Sequence, residues 1–196
     1  MAVAEIERIW PDMPRRSYLG TLIEKESWWR TGAQLKTSRE EGAGLGQLTR
    51  AWSANGALRF DALQEVKALA PDDLAELSWA NVYTRADLGL RATLVKLRDC
   101  DTRLQRLGKF ERMERVALCD AAYNGGWGGL QQDRKLCALT TGCDAARWFD
   151  HVEHTSGKSR TKWQGYGQSA FEINRAHVRA TVPLAQRLRY MPLLGV

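Results

Sequence analysis

The chain has 196 residues, 44% hydrophobic and 27% charged, with 17 Gly and only 5 Pro; this length and composition fit one well-buried domain and exclude a disordered or collagen-like chain. No apolar run approaches the roughly 18–20 residues of a membrane span, and Glu5, Glu7, Arg8 and Asp12 break up the hydrophobes at the start, so neither an anchor nor a signal peptide is expected. The net charge of +6 lies in the C-terminal fifth, where Gly157 to Val196 carries seven basic residues against the single acid Glu172.

The expected elements are mostly helical. A short amphipathic start is interrupted by Pro11 and Pro14, and Arg16 to about Trp29 has helical periodicity with Leu19, Leu22, Ile23 and Glu26 on one face. Glu41 to Gly46 holds too much glycine for a helix, while Asn55-Gly56 between Gln47–Trp52 and Ala57–Phe60 signals a small antiparallel hairpin insertion. Asp61 caps a helix to about Leu69, Pro71-Asp72-Asp73 starts another short one, and Asn81 to about Leu107 reads as one long helix stopped by Gly108. A helix over Lys109–Asn124 ends at Asn124-Gly125-Gly126. Further helices are expected over Trp127–Leu139, Asp144–Val152 and Ser169–Tyr190, the last kinked or divided at Pro183.

The four cysteines form no C-x-x-C pair and His151, His154 and His177 give no zinc spacing, so no metal site is expected. Cys119 reads as a small core residue. Cys137 and Cys143 flank a short Thr140-Thr141-Gly142 loop that a bridge could close, but synthesis in the cytoplasm favours free thiols.

Glu26 is the most informative residue. It stands seven positions after Leu19, about 20° away around a helix of 3.6 residues per turn, and therefore faces the core side. A carboxyl against apolar neighbours is disfavoured as an anion, the property a general acid uses; the alternative is a Glu paired with a buried Arg or Lys.

Glu26-Ser27, then Gly42-Ala43-Gly44-Leu45-Gly46-Gln47, then Ala121-Ala122-Tyr123-Asn124-Gly125-Gly126 resemble, in that order, the E-S, G-A-x-G-L-M-Q and A-Y-N-x-G motifs of soluble lytic transglycosylases and goose-type lysozymes. Leu35 to Glu40, and later Tyr166-Gly167-Gln168-Ser169 with Ile173-Asn174-Arg175, look like phage endolysins built on the same fold. The motif-bearing part runs from about residue 18 to residue 126. The family usually has Met where this chain has Gly46, and one more residue between the Ala and Gly that match Ala43 and Gly44.

The resemblance implies a mainly α, lysozyme-like domain over the whole chain, with the hairpin as its β insertion. It implies an endolysin that cuts the β-1,4 bond between N-acetylmuramic acid and N-acetylglucosamine, without a cofactor. In that reading Glu26 protonates the glycosidic oxygen and Ser27 polarises the substrate or the Glu, unless it is an ordinary helix hydroxyl. Gly44 and Gln47 bring backbone groups and one amide to the N-acetyl and hydroxyl groups. Tyr123 and Asn124 supply a hydroxyl near the acid and an amide for the sugar, against the alternative of a core Tyr and a capping Asn. Trp28, Trp29, Trp52 and Trp127 stand near the motifs, where indole faces stack on sugars or fill the core.

A second carboxylate decides the reaction. An inverting hydrolase needs a base about 6.5–9.5 Å from the acid, whereas a lytic transglycosylase lets the muramyl 6-hydroxyl attack and leaves a 1,6-anhydro product. Glu40 and Glu41 are the candidates for such a base, with Arg39 beside them to hold one ionised; surface charge is the alternative. The expected partner is bacterial peptidoglycan, with the basic segment from about residue 157 to residue 196 docking on an anionic outer surface. A monomer is expected, made in the host cytoplasm and acting in the periplasm or wall after release by another protein. The rival reading is a non-catalytic basic helical protein that binds wall or nucleic acid, although no helix-turn-helix, zinc spacing or aromatic RNA-binding signature is present.

Overall fold

The computed structural model describes residues 1–162 and 167–195, so Tyr166 of the late motif lies outside the described residues. The protein is mainly helical with a small four-stranded antiparallel sheet. It packs as two compact units, one from Met1 to Asp99 with Tyr190–Val196, the other from Cys100 to Arg189.

The first unit opens with α1 (Ala2–Ile9) and α2 (Arg16–Ser27), separated by the two prolines. Leu19, Leu22 and Ile23 of α2 are fully buried, and each such side chain contributes about 1.5–3 kcal/mol of hydrophobic stabilisation. Four strands follow in sheet order: β1 (Gln34–Lys36), β2 (Glu40–Ala43), β3 (Leu48–Trp52) and β4 (Leu58–Asp61). The β3–β4 pair is the hairpin that Asn55-Gly56 signals; β1 and β2 are additional, because Gly42 and the charges around it hide a strand pattern that pairing alone completes. Asp61 then caps α3 (Ala62–Leu69), its side chain accepting from the amides of Leu63 and Gln64. Pro71 to Glu76 forms turns rather than the expected helix, and α4 (Ala86–Leu107) begins five residues later than periodicity suggests, after turns held by the Asn81 side chain. Glu5 of α1 and Arg91 of α4 form a buried ion pair at 2.8 Å. The chain returns to this unit at its end, where α9 (Met191–Leu194) packs on α2.

The second unit takes up the last turns of α4 and continues through α5 (Arg112–Gly125), α6 (Trp127–Ala138), α7 (Ala170–Thr181) and the short α8 (Leu184–Arg187). Ser169 and Glu172 make a reciprocal capping box at the start of α7, and Pro183 ends that helix by serving as the cap of α8. Asp144–Val152 is not an α-helix: the Asp144 side chain accepts from Ala146, its amide donates to His151 Nδ1, and the Trp148 amide donates to Glu114 at 2.6 Å. These bonds fix turns ahead of the 3-10 segment Val152–His154.

The cysteines correct the expectation of free thiols. Cys100 of α4 is bonded to Cys119 of α5, and Cys137 at the end of α6 to Cys143 beyond the loop. Among the described residues no helix is long and apolar enough to cross a membrane.

Candidate functional site

Glu26 lies on the last turn of α2, half-buried at the edge of the apolar stripe rather than inside it. Lys96 of α4 is near enough for their charges to act on each other. Burial pushes the Lys96 ammonium below its ordinary pKa, while the carboxylates of Glu26 and Glu65 pull it back up. The alternative of a Glu facing a buried cation is therefore met in part, with a lysine whose charge is itself disfavoured. Ser27 is buried and donates its hydroxyl to the Ile23 carbonyl at 3.0 Å, the bond of an ordinary helix hydroxyl.

The two carboxylates on β2 separate by strand alternation: Glu40 is exposed and Glu41 buried. Glu41 accepts from Tyr83 at 2.5 Å, Gln34 at 3.1 Å, and the Arg50 Nε and Nη2 at 2.9 and 2.6 Å. Those bonds, the Tyr83 hydroxyl first and Arg50 next, hold its pKa down at about 2. Tyr83 is pushed up by burial and by the bond it donates. The expectation that Arg39 holds one carboxylate ionised is corrected: the cation is Arg50, the cross-strand partner of Glu41. Arg50 is also held by two indoles, its guanidinium carbon lying 4.4 Å from the ring centre of Trp79 and 5.2 Å from that of Trp52.

Gly44 and Gln47 build the turn between β2 and β3. Gly44 has φ +70, and a Cβ there would stand 2.7 Å from the Val82 carbonyl oxygen, so both the conformation and the space require glycine. Gln47, at φ 46, donates its amide to the carbonyls of Ala33 at 3.1 Å and Gly44 at 2.9 Å. The amide hydrogens thus tie the turn to the segment before β1. Its Oε1, lying over Gly42, accepts no hydrogen bond among the described residues and is the atom this side chain can offer a ligand.

Trp28 and Trp29 follow Glu26-Ser27 and face solvent. Trp52, beside Arg50, is half-buried, as is Trp127, whose ring lies 5.5 Å from Arg103 in the second unit. That unit also holds the last motif, at the end of α5. Tyr123 is buried, and exposed Asn124 accepts from Asn174 Nδ2 of α7 at 3.0 Å. A Cβ on Gly125 would stand 2.8 Å from both Asn174 Nδ2 and Lys158 Cε, so this glycine lets α7 and Lys158 close on the end of α5.

Much of the basic segment is engaged internally. Asp133, nearly fully buried, receives Lys158 at 2.9 Å and Arg175 at 3.0 Å; Arg179 pairs with Glu153 at 2.8 Å, and Arg187 donates to the Val182 carbonyl. Arg160, Lys162, Arg179 and Arg189 are exposed, Arg160 with its guanidinium carbon 3.7 Å from the centre of the Phe171 ring.

Sequence reasoning missed Lys96, Tyr83, Gln34 and Arg50. Arg50 had a signal: with Gly44–Gln47 as a turn, Ala43 pairs with Leu48 and Glu41 with Arg50. Tyr83 and Lys96 arrive from distant elements and carried none. Comparison with known proteins finds no matching family model, no significantly similar curated protein and no significantly similar solved structure.

Proposed function

We propose that this protein is a lysozyme-like endolysin that cleaves peptidoglycan glycan strands, with Glu26 as the proton donor to the bond between N-acetylmuramic acid and N-acetylglucosamine. One observation carries the reading: the half-buried Glu26 carboxyl and two solvent-facing indoles come from four consecutive residues at the end of α2. A carboxyl able to give a proton and a flat apolar surface able to hold a sugar ring are the two things that glycoside cleavage needs side by side. The ordered motifs, with Gly44 and Gln47 shaping the turn between β2 and β3 and Tyr123 and Asn124 ending α5, support it further.

The mechanism divides on water. Hydrolysis requires a base, and Glu41 is a poor one, since Tyr83, Gln34 and Arg50 occupy its oxygens and it binds a proton only near pH 2. Glu40 is the exposed alternative. That observation favours the second reading, a lytic transglycosylase in which the muramyl 6-hydroxyl displaces the leaving sugar and one acid suffices. Both disulfides suit action in an oxidising compartment such as the periplasm or wall.

The test is digestion of purified peptidoglycan by the wild-type protein and by Glu26→Gln. Loss of at least about 10²-fold in lysis by a folded mutant is expected, the usual size of general-acid catalysis; near-wild-type lysis sinks the assignment. Mass spectrometry of the product separates the two mechanisms, because the anhydro form is lighter by ~18 Da, one water.

A further inference from the structure

Helices that end in a left-handed residue usually place glycine there, because a side chain is strained in that conformation. Here α2 ends in two such residues in succession, and both are tryptophan: Trp28 at φ 53 and Trp29 at φ 60. The first of them leaves 70% of its surface exposed. A strained indole that is mostly in solvent gains little from packing.

The surrounding contacts hold this turn in place. The Trp28 amide donates to the Glu24 carbonyl at 2.9 Å, and the Arg30 amide to that of Ser27 at 3.0 Å. Trp29 donates its indole N–H to the Tyr190 hydroxyl at 2.9 Å, and that hydroxyl donates in turn to Glu24 Oε2 at 2.8 Å. The Tyr190 ring lies flat against α2 over Gly20, where a Cβ would come within 2.3 Å of the ring carbon Cγ. A residue 161 positions away thus fastens Trp29, and through it the turn that presents Trp28.

We propose that Trp28 is a saccharide-stacking site, positioned by Trp29, Tyr190 and Glu24, that holds a sugar ring of the glycan next to Glu26. A pyranose offers a C–H face that an indole covers and a rim of hydroxyls that need polar neighbours. In the sequence around Trp28 those neighbours are Lys25, Glu26 and Arg30, so the fully presented Trp28 ring and the part-exposed Trp29 beside it stand among charged residues. A lipid surface asks for a broader apolar wedge with a basic border, whereas here the acids Glu24 and Glu26 balance Lys25 and Arg30 and leave no basic excess to draw anionic headgroups. The proposal rests on the glycan-cleaving reading for its choice of ligand.

The experiment measures binding of chitotetraose and of peptide-free oligosaccharides of alternating N-acetylglucosamine and N-acetylmuramic acid by calorimetry, in a Glu26→Gln background that stops turnover. Trp28→Ala should weaken binding about tenfold or more, and Trp28→Tyr should restore most of it. Tyr190→Phe, which keeps the ring over Gly20 but removes the hydroxyl, should weaken it by a smaller factor. Binding by Trp28→Ala within twofold of the parent overturns the proposal, as does absence of glycan binding by the parent. So does a Trp28-dependent affinity for vesicles of phosphatidylglycerol with glycan binding unchanged. Absence of peptidoglycan cleavage by the wild-type protein would remove the cleavage reading while leaving a Trp28-dependent glycan affinity standing, so the two failures are told apart.

Discussion

Glu41 on β2 and Arg50 on β3 are direct cross-strand partners, joined at 2.6 Å in an ion pair that Tyr83 and Gln34 complete on the other carboxylate oxygen. The pair ties the two central strands together and consumes the carboxylate that the sequence offered as a catalytic base.

Its titration follows from that geometry. The folded pKa of about 2 lies below the ordinary 4.5, so the ionised carboxylate contributes stability that is fully present above about pH 4.5 and is lost as pH falls through the folded value. Glu41→Gln should destabilise the protein at pH 7 by about 1–3 kcal/mol, the cost of leaving Arg50 without its charged partner. The gap between mutant and wild type should narrow between pH 4.5 and 2 in thermal melts. If lysis instead falls by about 10²–10⁴-fold at unchanged stability, Glu41 is the base after all.

Lys96 gives the opposite sign. Its folded pKa lies below its ordinary value because burial outweighs the pull of Glu26 and Glu65. The folded state therefore holds the lysine proton less tightly than the unfolded chain does. Wild-type stability relative to Lys96→Met should accordingly rise as pH climbs from neutrality toward the ordinary lysine range. Urea unfolding of both proteins at pH 7 and pH 9.5 measures the difference; a gap independent of pH would show that Lys96 carries no such penalty.

The parts of the fold that could be read in advance are those fixed by neighbours in sequence. Asp61 caps α3, Asn55-Gly56 turns β3 into β4, Gly108 follows the end of α4, and Pro183 divides the C-terminal helices. The parts that could not depend on partners far along the chain. Residues 144–152 have helical spacing, yet Glu114 takes the Trp148 amide and the segment settles as turns. In the candidate site, Glu26 and the turn glycines were visible as motifs, whereas the residues that set their surroundings come from α4, from the loop before it and from the last seven residues. A charge count placed the basic excess correctly, but only burial showed that Asp133 and Glu153 absorb Lys158, Arg175 and Arg179.

Both disulfides close loops within the second unit. With sequence separations of 19 for Cys100–Cys119 and 6 for Cys137–Cys143, the chain-entropy model gives about 3 and about 2 kcal/mol of stabilisation. Paired Cys→Ser substitutions should lower the melting temperature in that order, and a reductant should lower the wild type to the level of the quadruple mutant. A melting temperature indifferent to reductant would mean that the thiols contribute as packed side chains alone.

The last prediction concerns the cations left on the C-terminal surface. Lys158, Arg175 and Arg187 are engaged with Asp133 or with backbone and cannot be removed without disturbing the second unit, whereas Arg160, Lys162 and Arg189 are exposed. If this segment docks on an anionic outer surface, replacing Arg160 and Lys162 by Gln should weaken binding to whole cells, with a loss of stability of about 0.5–1 kcal/mol where the Arg160 guanidinium leaves the Phe171 ring. Wild-type binding should also fall steeply with salt, because the screening length shortens from ~10 Å at 0.1 M to ~3 Å at 1 M. Turnover of a small neutral glycan should not respond to either change, since neither touches Glu26 or its neighbours. Equal losses in cell binding and small-glycan turnover would assign these cations to the cleavage machinery, and no loss in either would leave them as solvated charges on a face whose remaining basic residues hold the fold together.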